Sequence, residues 1–178
     1  MLRQFALIAL SLAGLVGCTT LGTMPTKRIA SAILHNTNGL PAGTAVLIAS
    51  GDSLTLNLAL IGLPAGNHGF HLHMIGKCEV PTFSAAGGHL NPEGHMHGTA
   101  NPAGSHLGDL PNLTIDAQGA SALSIELRGS RADLEAALFD SDGSAIVVHA
   151  DLDDYKTDPS GNSGARIACG VLRSPGKS

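Results

Sequence analysis

The sequence predicts an all-β fold, a sandwich or barrel of short strands joined by glycine-rich turns. Three observations carry that expectation. Apolar residues alternate with polar or small ones, as in Leu54, Leu56, Leu58 and Leu60, and again in Leu123, Ile125 and Leu127. That period of two belongs to strands. Turn signals separate the pieces, with LPAG at 63–66, DAQG at 116–119 and DSDG at 140–143, each rich in residues that tolerate tight backbone bends. No long amphipathic helical pattern competes, and no internal repeat is visible.

The chain opens with a targeting segment. Arg3 supplies a positive start, an apolar run from Phe5 to Val16 follows, and small residues precede Cys18. The run is too short to span a bilayer. Residues 1–17 resemble a bacterial lipoprotein signal peptide, with Cys18 as the lipidated first residue of the mature chain; an ordinary secretory signal is the other reading. Either makes the protein an exported one. Residue 19 is a threonine rather than an aspartate, which favours the outer membrane as the anchor's location in a two-membrane cell. The polar stretch up to residue 28 reads as a flexible tether, and residues 29–178 as one domain of ordinary size.

Short apolar runs rich in Val and Ile mark further strands at 45–49, 145–149 and 165–172. Residues 131–138 read equally as a helical turn or as part of a connection. Two stretches fit no strand, about 74–110 and about 150–164, and loops of such length inside a compact domain usually carry function.

Composition narrows the function. The net charge is −4, with one tyrosine, no tryptophan and no basic run, which excludes a nucleic-acid surface. Besides Cys18, the cysteines are Cys78 and Cys169. In an oxidising envelope they pair most simply with each other; the alternative use, as metal ligands, is disfavoured because histidines already supply enough.

Histidine is the decisive residue. Seven of the nine histidines, at 68, 71, 73, 89, 95, 97 and 106, fall in one short segment, and His149 follows. Neutral imidazole is the commonest ligand for borderline transition metals. His71 and His73 lie two apart, so a strand would project both from one face. His89, His97 and His106 follow, and Asp109 adds an oxygen donor suited to a zinc site, while a separate set of imidazoles suits copper.

Here a family resemblance becomes specific. GFHLH (69–73), AGGHLNP (86–92), HG (97–98), HLGDL (106–110), VVHADLDD (147–154) and GNSGARIACGV (161–171) occur in the order seen in copper/zinc superoxide dismutases. The resemblance covers about residues 29–172. It implies an eight-stranded Greek-key β-barrel with two long functional loops, copper and zinc as cofactors, and superoxide anion as substrate, two ions and two protons giving dioxygen and hydrogen peroxide. It further implies His71, His73 and His149 as copper ligands, His89 as a bridge between the metals, and His97, His106 and Asp109 as the remaining zinc ligands. Asp153 resembles the outer carboxylate that bonds ligands of both metals, Arg166 the arginine above the copper, and Cys78–Cys169 the intrasubunit disulfide. Monomer and homodimer both remain open, and the membrane is met only through Cys18.

Some residues depart from the pattern. His95 and His97 both lie near the place of a zinc ligand; the eight-residue step from His89 and the following Gly98 favour His97. His95 then reads as an exposed loop residue, His68 as a hydrogen-bonded structural histidine and His35 as a surface residue. Met74 stands where many members carry an acidic or polar side chain. The segment between His149 and Arg166 is shorter than in animal members, and Lys156 within it reads as a solvated lysine rather than a guiding cation.

Overall fold

The computed structural model describes residues 25–175, so the expected signal peptide, Cys18 and most of the expected tether lie outside the described residues. Residues 26–28, expected to belong to the tether, already form the start of the first strand.

Nine strand segments follow in chain order: β1 Thr26–Asn36, β2 Pro41–Ser50, β3 Ser53–Leu60, β4 Gly66–His68, β5 Phe70–His73, β6 Leu113–Ile115, β7 Ser121–Glu126, β8 Ala145–His149 and β9 Arg166–Val171. The expected eight become nine because β4 and β5 are one extended run interrupted at Gly69. There the Gly69 N–H turns to the carbonyl of Asp151 at 2.7 Å, and its carbonyl accepts from the His149 N–H at 2.8 Å. Seven segments form one antiparallel sheet in the order β5-β8-β9-β1-β2-β3-β7, and β4 pairs with β6. Since β4 continues β5, and the turn at 116–120 leads from β6 into β7, the sheet curls into a barrel.

The alternation that predicted the strands is the alternation that fills the core. Leu54, Leu56, Leu58 and Leu60 of β3 are buried, and β2 places Leu47 opposite Leu56 and Ala45 opposite Leu58. Residues 131–138 form a helix, α1 (Arg131–Leu138), capped by the Ser130 side chain, which accepts from the Asp133 N–H at 3.2 Å. That bond satisfies one orphan donor of the first turn. Leu134 and Leu138 anchor its inner face.

β8 is buried on both faces, which explains its unbroken apolar run. Ile146 and Val148 join the main core. Ala145 and Val147 face outward and pack with Phe83, Ala86 and Cys169 in a second, smaller core. A disulfide between Cys78 and Cys169, 91 residues apart, ties the long loop to β9 at this point. Among the described residues no helix is long and apolar enough to cross a membrane.

Candidate metal centre

The two long stretches without strands close over the outer face of β5 and β8. On β5, Phe70 and Leu72 enter the core while His71 and His73 project to the other face, both fully buried. The free edge of β5 is then extended by loop backbone. The N–H of Leu72 donates to Gly108, that of Leu90 to Leu72, and that of Met74 to Gly88, at 3.0, 2.8 and 3.0 Å. These bonds set His89 and Asp109 beside the β5 histidines. His149, at the end of β8, completes the group.

Two clusters result, sharing one residue. His71, His73, His89 and His149 bring one nitrogen each within 4.8 Å of one another, as do donors of His89, His97, His106 and Asp109. All seven side chains are buried. A third group, His71, His97 and Asp153, links them.

Hydrogen bonds fix which nitrogen each ring presents. A carboxylate or carbonyl oxygen only accepts, so the ring nitrogen facing it carries the proton. The Nε2–H of His71 donates to Asp153 Oδ2 at 2.8 Å, and the Nε2–H of His97 to Asp153 Oδ1 at 2.9 Å. The Nδ1–H of His73 donates to the carbonyl of Gly87 at 3.0 Å, and that of His149 to the carbonyl of Gly164 at 3.3 Å. The remaining nitrogens converge. Nδ1 of His71 and Nε2 of His89 are buried with no hydrogen-bond partner. Nε2 of His73 and Nε2 of His149 face each other at 3.4 Å. Lone pairs pointed at one another and buried orphan acceptors are unfavourable without a cation between them.

The second cluster centres on Asp109. Its Oδ2 accepts from the N–H of Gly98 at 2.8 Å and of His106 at 3.0 Å. Its Oδ1 faces Nδ1 of His89, His97 and His106 at 2.9, 3.0 and 3.3 Å. Three nitrogens and a carboxylate oxygen are the donor set of a closed zinc site. The residues therefore fit both metals.

Electrostatics agree. Burial, with neighbouring imidazoles, pushes His73 down to about 2 and His149 to about 3. Burial also lowers His89 to about 4, against the pull of Asp109. These rings are neutral at ordinary pH, the form that binds metal. At His97 burial disfavours the charge, but Asp109 and Asp153 outweigh it and raise the group to about 9. In metal-free protein His97 thus carries a second proton at Nδ1, where a cation would displace it. Asp109 and Asp153 resist ionisation through burial, yet their histidine and backbone hydrogen bonds hold both well below the usual carboxylate range.

A cleft of about 480 Å³ leads from solvent to His73, His89 and His149, with Arg166 on its wall. The guanidinium donates from Nη1 to the carbonyl of Phe83 and from Nη2 to that of Gly87, both at 2.6 Å. Arg166 thus holds the loop that precedes His89 as well as lining the cleft.

The family model described as copper/zinc superoxide dismutase matches residues 41–172. The chain belongs to the copper/zinc superoxide dismutase family. Cu-Zn superoxide dismutase 2 of Aquifex aeolicus is 42% identical over 149 residues, covering 81% of this chain and 86% of that protein. The Cu-Zn enzyme of Caulobacter vibrioides is 40% identical over 150 residues, 81% and 85% of the two chains. Among solved structures, a double mutant of a dismutase-like protein from Bacillus subtilis superposes with a TM-score of 0.73 at 41% identity, covering 80% of this chain and 95% of that one. The Cu/Zn superoxide dismutase from Brucella abortus gives 0.65 at 27% identity, covering 84% and 100%. The chain is accordingly a copper/zinc superoxide dismutase enzyme, with histidine clusters suited to both metals.

The departures from the family pattern take definite places. His97 turns inward to Asp109 and Asp153, whereas the His95 side chain is 47% exposed. Gly98, at φ 97°, lies so close to the Tyr155 carbonyl that a Cβ would collide with it. His68 is buried, between the carbonyls of His149 at 2.8 Å and Pro64 at 3.0 Å. His35 is half-buried on the outside of the barrel, and Lys156 is exposed away from the cleft.

One residue escaped the sequence reading. Arg128, just after β7, donates from Nη1 to Ser105 Oγ at 2.5 Å and from Nη2 to the carbonyls of His106 at 2.7 Å and Asp109 at 3.4 Å. It clamps the backbone of two members of the Asp109 cluster. Nothing in the spacing of a lone arginine after an alternating strand announces that contact.

Proposed function

We propose that this protein dismutates superoxide in the bacterial cell envelope, at a copper held by His71, His73, His89 and His149. His89, His97, His106 and Asp109 would hold a zinc, so that His89 would serve both metals. The observation that carries this reading is the pair of buried, unpartnered nitrogens, His71 Nδ1 and His89 Nε2. They point to the place where His73 and His149 also present free nitrogens.

Bound copper supplies the one-electron redox chemistry, and zinc, which has none, fixes geometry. The protein's own part is positioning. Asp153 locks the rings of His71 and His97 in the tautomers that present Nδ1. The anionic substrate meets an acidic protein, so the local field at the cleft must outweigh the global one. Arg166, whose planar fork suits a two-oxygen anion, supplies it and orients the anion over His73 and His149. Whenever it is not engaged by copper, His89 Nε2 is the buried nitrogen placed to hold a proton and give it to departing peroxide.

Cys18 is the lipid attachment site of the envelope form, with the outer membrane favoured. Labelled fatty acid should enter the wild-type protein and not Cys18→Ser. The activity test is superoxide consumption by copper- and zinc-loaded protein with metal content measured on the same sample. Full loading without turnover would replace the dismutase reading by copper buffering. A relative in Bacillus subtilis, 37% identical over 192 residues, carries the name superoxide dismutase-like protein, so both measurements are needed.

A further inference from the structure

On the outside of the barrel, β1, β2 and β9 form a groove of about 590 Å³ that shares no residue with the metal cleft. Arg28 and Arg173 both line it, and no carboxylate does, although the chain carries 14 acidic residues and a net charge of −4. Strand register puts the two arginines on one face. Arg173 exchanges both backbone hydrogen bonds with Ser31, at 3.0 and 2.9 Å, and Arg28 stands three residues before Ser31 on the same strand. Residues paired across strands project to the same side of a sheet. Arg28 pairs with Ile48, whose neighbours Leu47 and Ala49 enter the core, and Ser31 lies between the buried Ala30 and Ala32. Arg28, Ser31 and Arg173 therefore face outward, and Ile33, 60% exposed, continues the row.

The fold makes no use of either guanidinium. Among the described residues neither makes a side-chain hydrogen bond or an ion pair, in contrast to Arg128, Arg131 and Arg166. Two unengaged cations beside exposed apolar surface, on an otherwise acidic protein, fit an anionic partner. They do not fit a second copy of this chain. A two-fold interface places the same patch on both sides, which would bring four guanidiniums together with no carboxylate among them.

We propose that this face docks on the anionic phospholipid headgroups of the membrane that holds the chain. The proposal rests on lipid attachment at Cys18. Seven residues separate Cys18 from Thr26, the first residue of β1, and at full extension such a link spans at most about 28 Å. The chain therefore enters the fold from the membrane at the end of β1 that bears Arg28. Two charges alone bind a bilayer weakly, but a tether of this length holds them at high effective concentration, and a basic patch is a usual second signal beside a lipid chain. Arg28 and Arg173 would each meet a lipid phosphate, with Ile33 at the interface. Docking leaves the cleft open. Arg166 begins β9 and Arg173 lies just past its end, about 23 Å away at strand rise, so the metal cleft sits at the far end of the strand from the membrane.

The test couples the metal-loaded chain beginning at Cys18 to maleimide lipid in nanodiscs. Cys18 is its free thiol, because Cys78 and Cys169 are paired. A gadolinium chelate on a headgroup lipid, against a lutetium control, broadens the methyl signals nearest the surface. In discs of about one-third phosphatidylglycerol, Ile33 and Val46 should broaden more than Thr114, which lies across the barrel on β6. The preference should vanish at high salt, which screens exposed charges, and in discs of phosphatidylcholine alone. Arg28→Gln combined with Arg173→Gln should cut the docked-to-free ratio about thirtyfold, roughly fivefold for each charge at an anionic surface, with the melting temperature unchanged. Equal broadening on both sides of the barrel would overturn the proposal, as would the same preference in phosphatidylcholine or in the double variant. Concentration-dependent shifts of Ile33 and Val46 in free solution would assign the face to a second copy and overturn it too. If labelled fatty acid failed to enter wild-type protein in cells, the anchor would fall and the docked geometry with it, whatever the discs showed, so the two failures are told apart.

Discussion

The Nε2–H of His71 donates to Oδ2 of Asp153 at 2.8 Å, and that bond leaves His71 Nδ1 buried and free. The other oxygen of the same carboxylate accepts from His97 at 2.9 Å. One side chain in the second long loop thus sets the tautomer of a member of each cluster. Asp153 is held in turn by its own N–H donating to Asn112 Oδ1 at 2.8 Å and by the Tyr155 N–H donating to Oδ1 at 2.7 Å. Gly161 packs so close that a Cβ there would strike Asp153 and His97.

Asp153→Asn should therefore weaken both metals together. An amide offers one acceptor oxygen where the two ring N–H donors wait on opposite oxygens, so one ring loses its partner. We expect affinity for copper and zinc each to fall about 10- to 100-fold, read by chelator competition. Loss confined to one metal would show that the carboxylate does not couple the clusters.

Asp109→Ala should lose zinc before copper, because Asp109 faces three Nδ1 atoms of its own cluster and none of the free nitrogens of the other. Arg128→Gln should act in the same direction more weakly, since it removes support from the backbone of His106 and Asp109 and no ligand. Elemental analysis after dialysis against a mild chelator checks both. Full zinc in Asp109→Ala would refute the site.

Arg166→Ala should lower the dismutation rate about tenfold or more and flatten its dependence on salt, the signature of lost steering. Arg166→Lys separates the two roles of the residue. It keeps the charge but cannot bond the Phe83 and Gly87 carbonyls as a fork does, so the salt dependence should survive while the melting temperature drops. An unchanged rate in Arg166→Ala would sink the steering role.

How much of this was legible in the sequence depended on the range of the cause. The strands of the core were plain because alternation is local: Leu54 to Leu60 point inward by pleat alone. The clustering of the candidate ligands was legible because His71 and His73 share a strand face and because the motifs around His89, His106 and His149 match the family. The clamp by Arg128 was not, because it joins residues about twenty positions apart through backbone carbonyls, which leave no side-chain pattern. The early start of β1 was missed because its first residues, Thr26 to Arg28, are polar and exposed, held by pairing with Ser50, Ala49 and Ile48 rather than by burial. The split of β4 from β5 was hidden because Gly69 reads as a strand residue until the His149–Asp151 backbone bonds it.

Cys78→Ser should lower stability substantially. The bridge closes a loop of 91 residues, for which the chain-entropy account gives about 4 to 5 kcal/mol. The bond also seats Phe83 and Ala86 on β8, and the carbonyls that Arg166 holds lie in the same segment. Metal retention should therefore fall with melting temperature. Wild-type melting behaviour would show that the outer core holds the loop unaided.

Metal-free protein should lose stability as pH falls from about 6.5 toward 4. Unfolded imidazoles titrate near 6.5, whereas His73, His89 and His149 in the fold stay neutral down to about 2, 4 and 3. The unfolded state therefore binds more protons in that window, and stability rises with pH across it. Asp109 and Asp153, held below their usual range, act with the same sign: their stabilisation is present above about 3.8 and is lost as pH falls below it. His97 acts in the opposite sense. Raised to about 9, it stabilises fully below 6.5 and loses that contribution as pH climbs through 9. The metal-free protein should thus be most stable near neutrality and weaken on both sides, while bound metals, which replace the proton on His97, should remove the alkaline decline. Melting temperatures across pH 4 to 10, with and without metals, decide it; a flat metal-free profile from 6.5 to 4.5 would show that the three imidazoles titrate alike in both states.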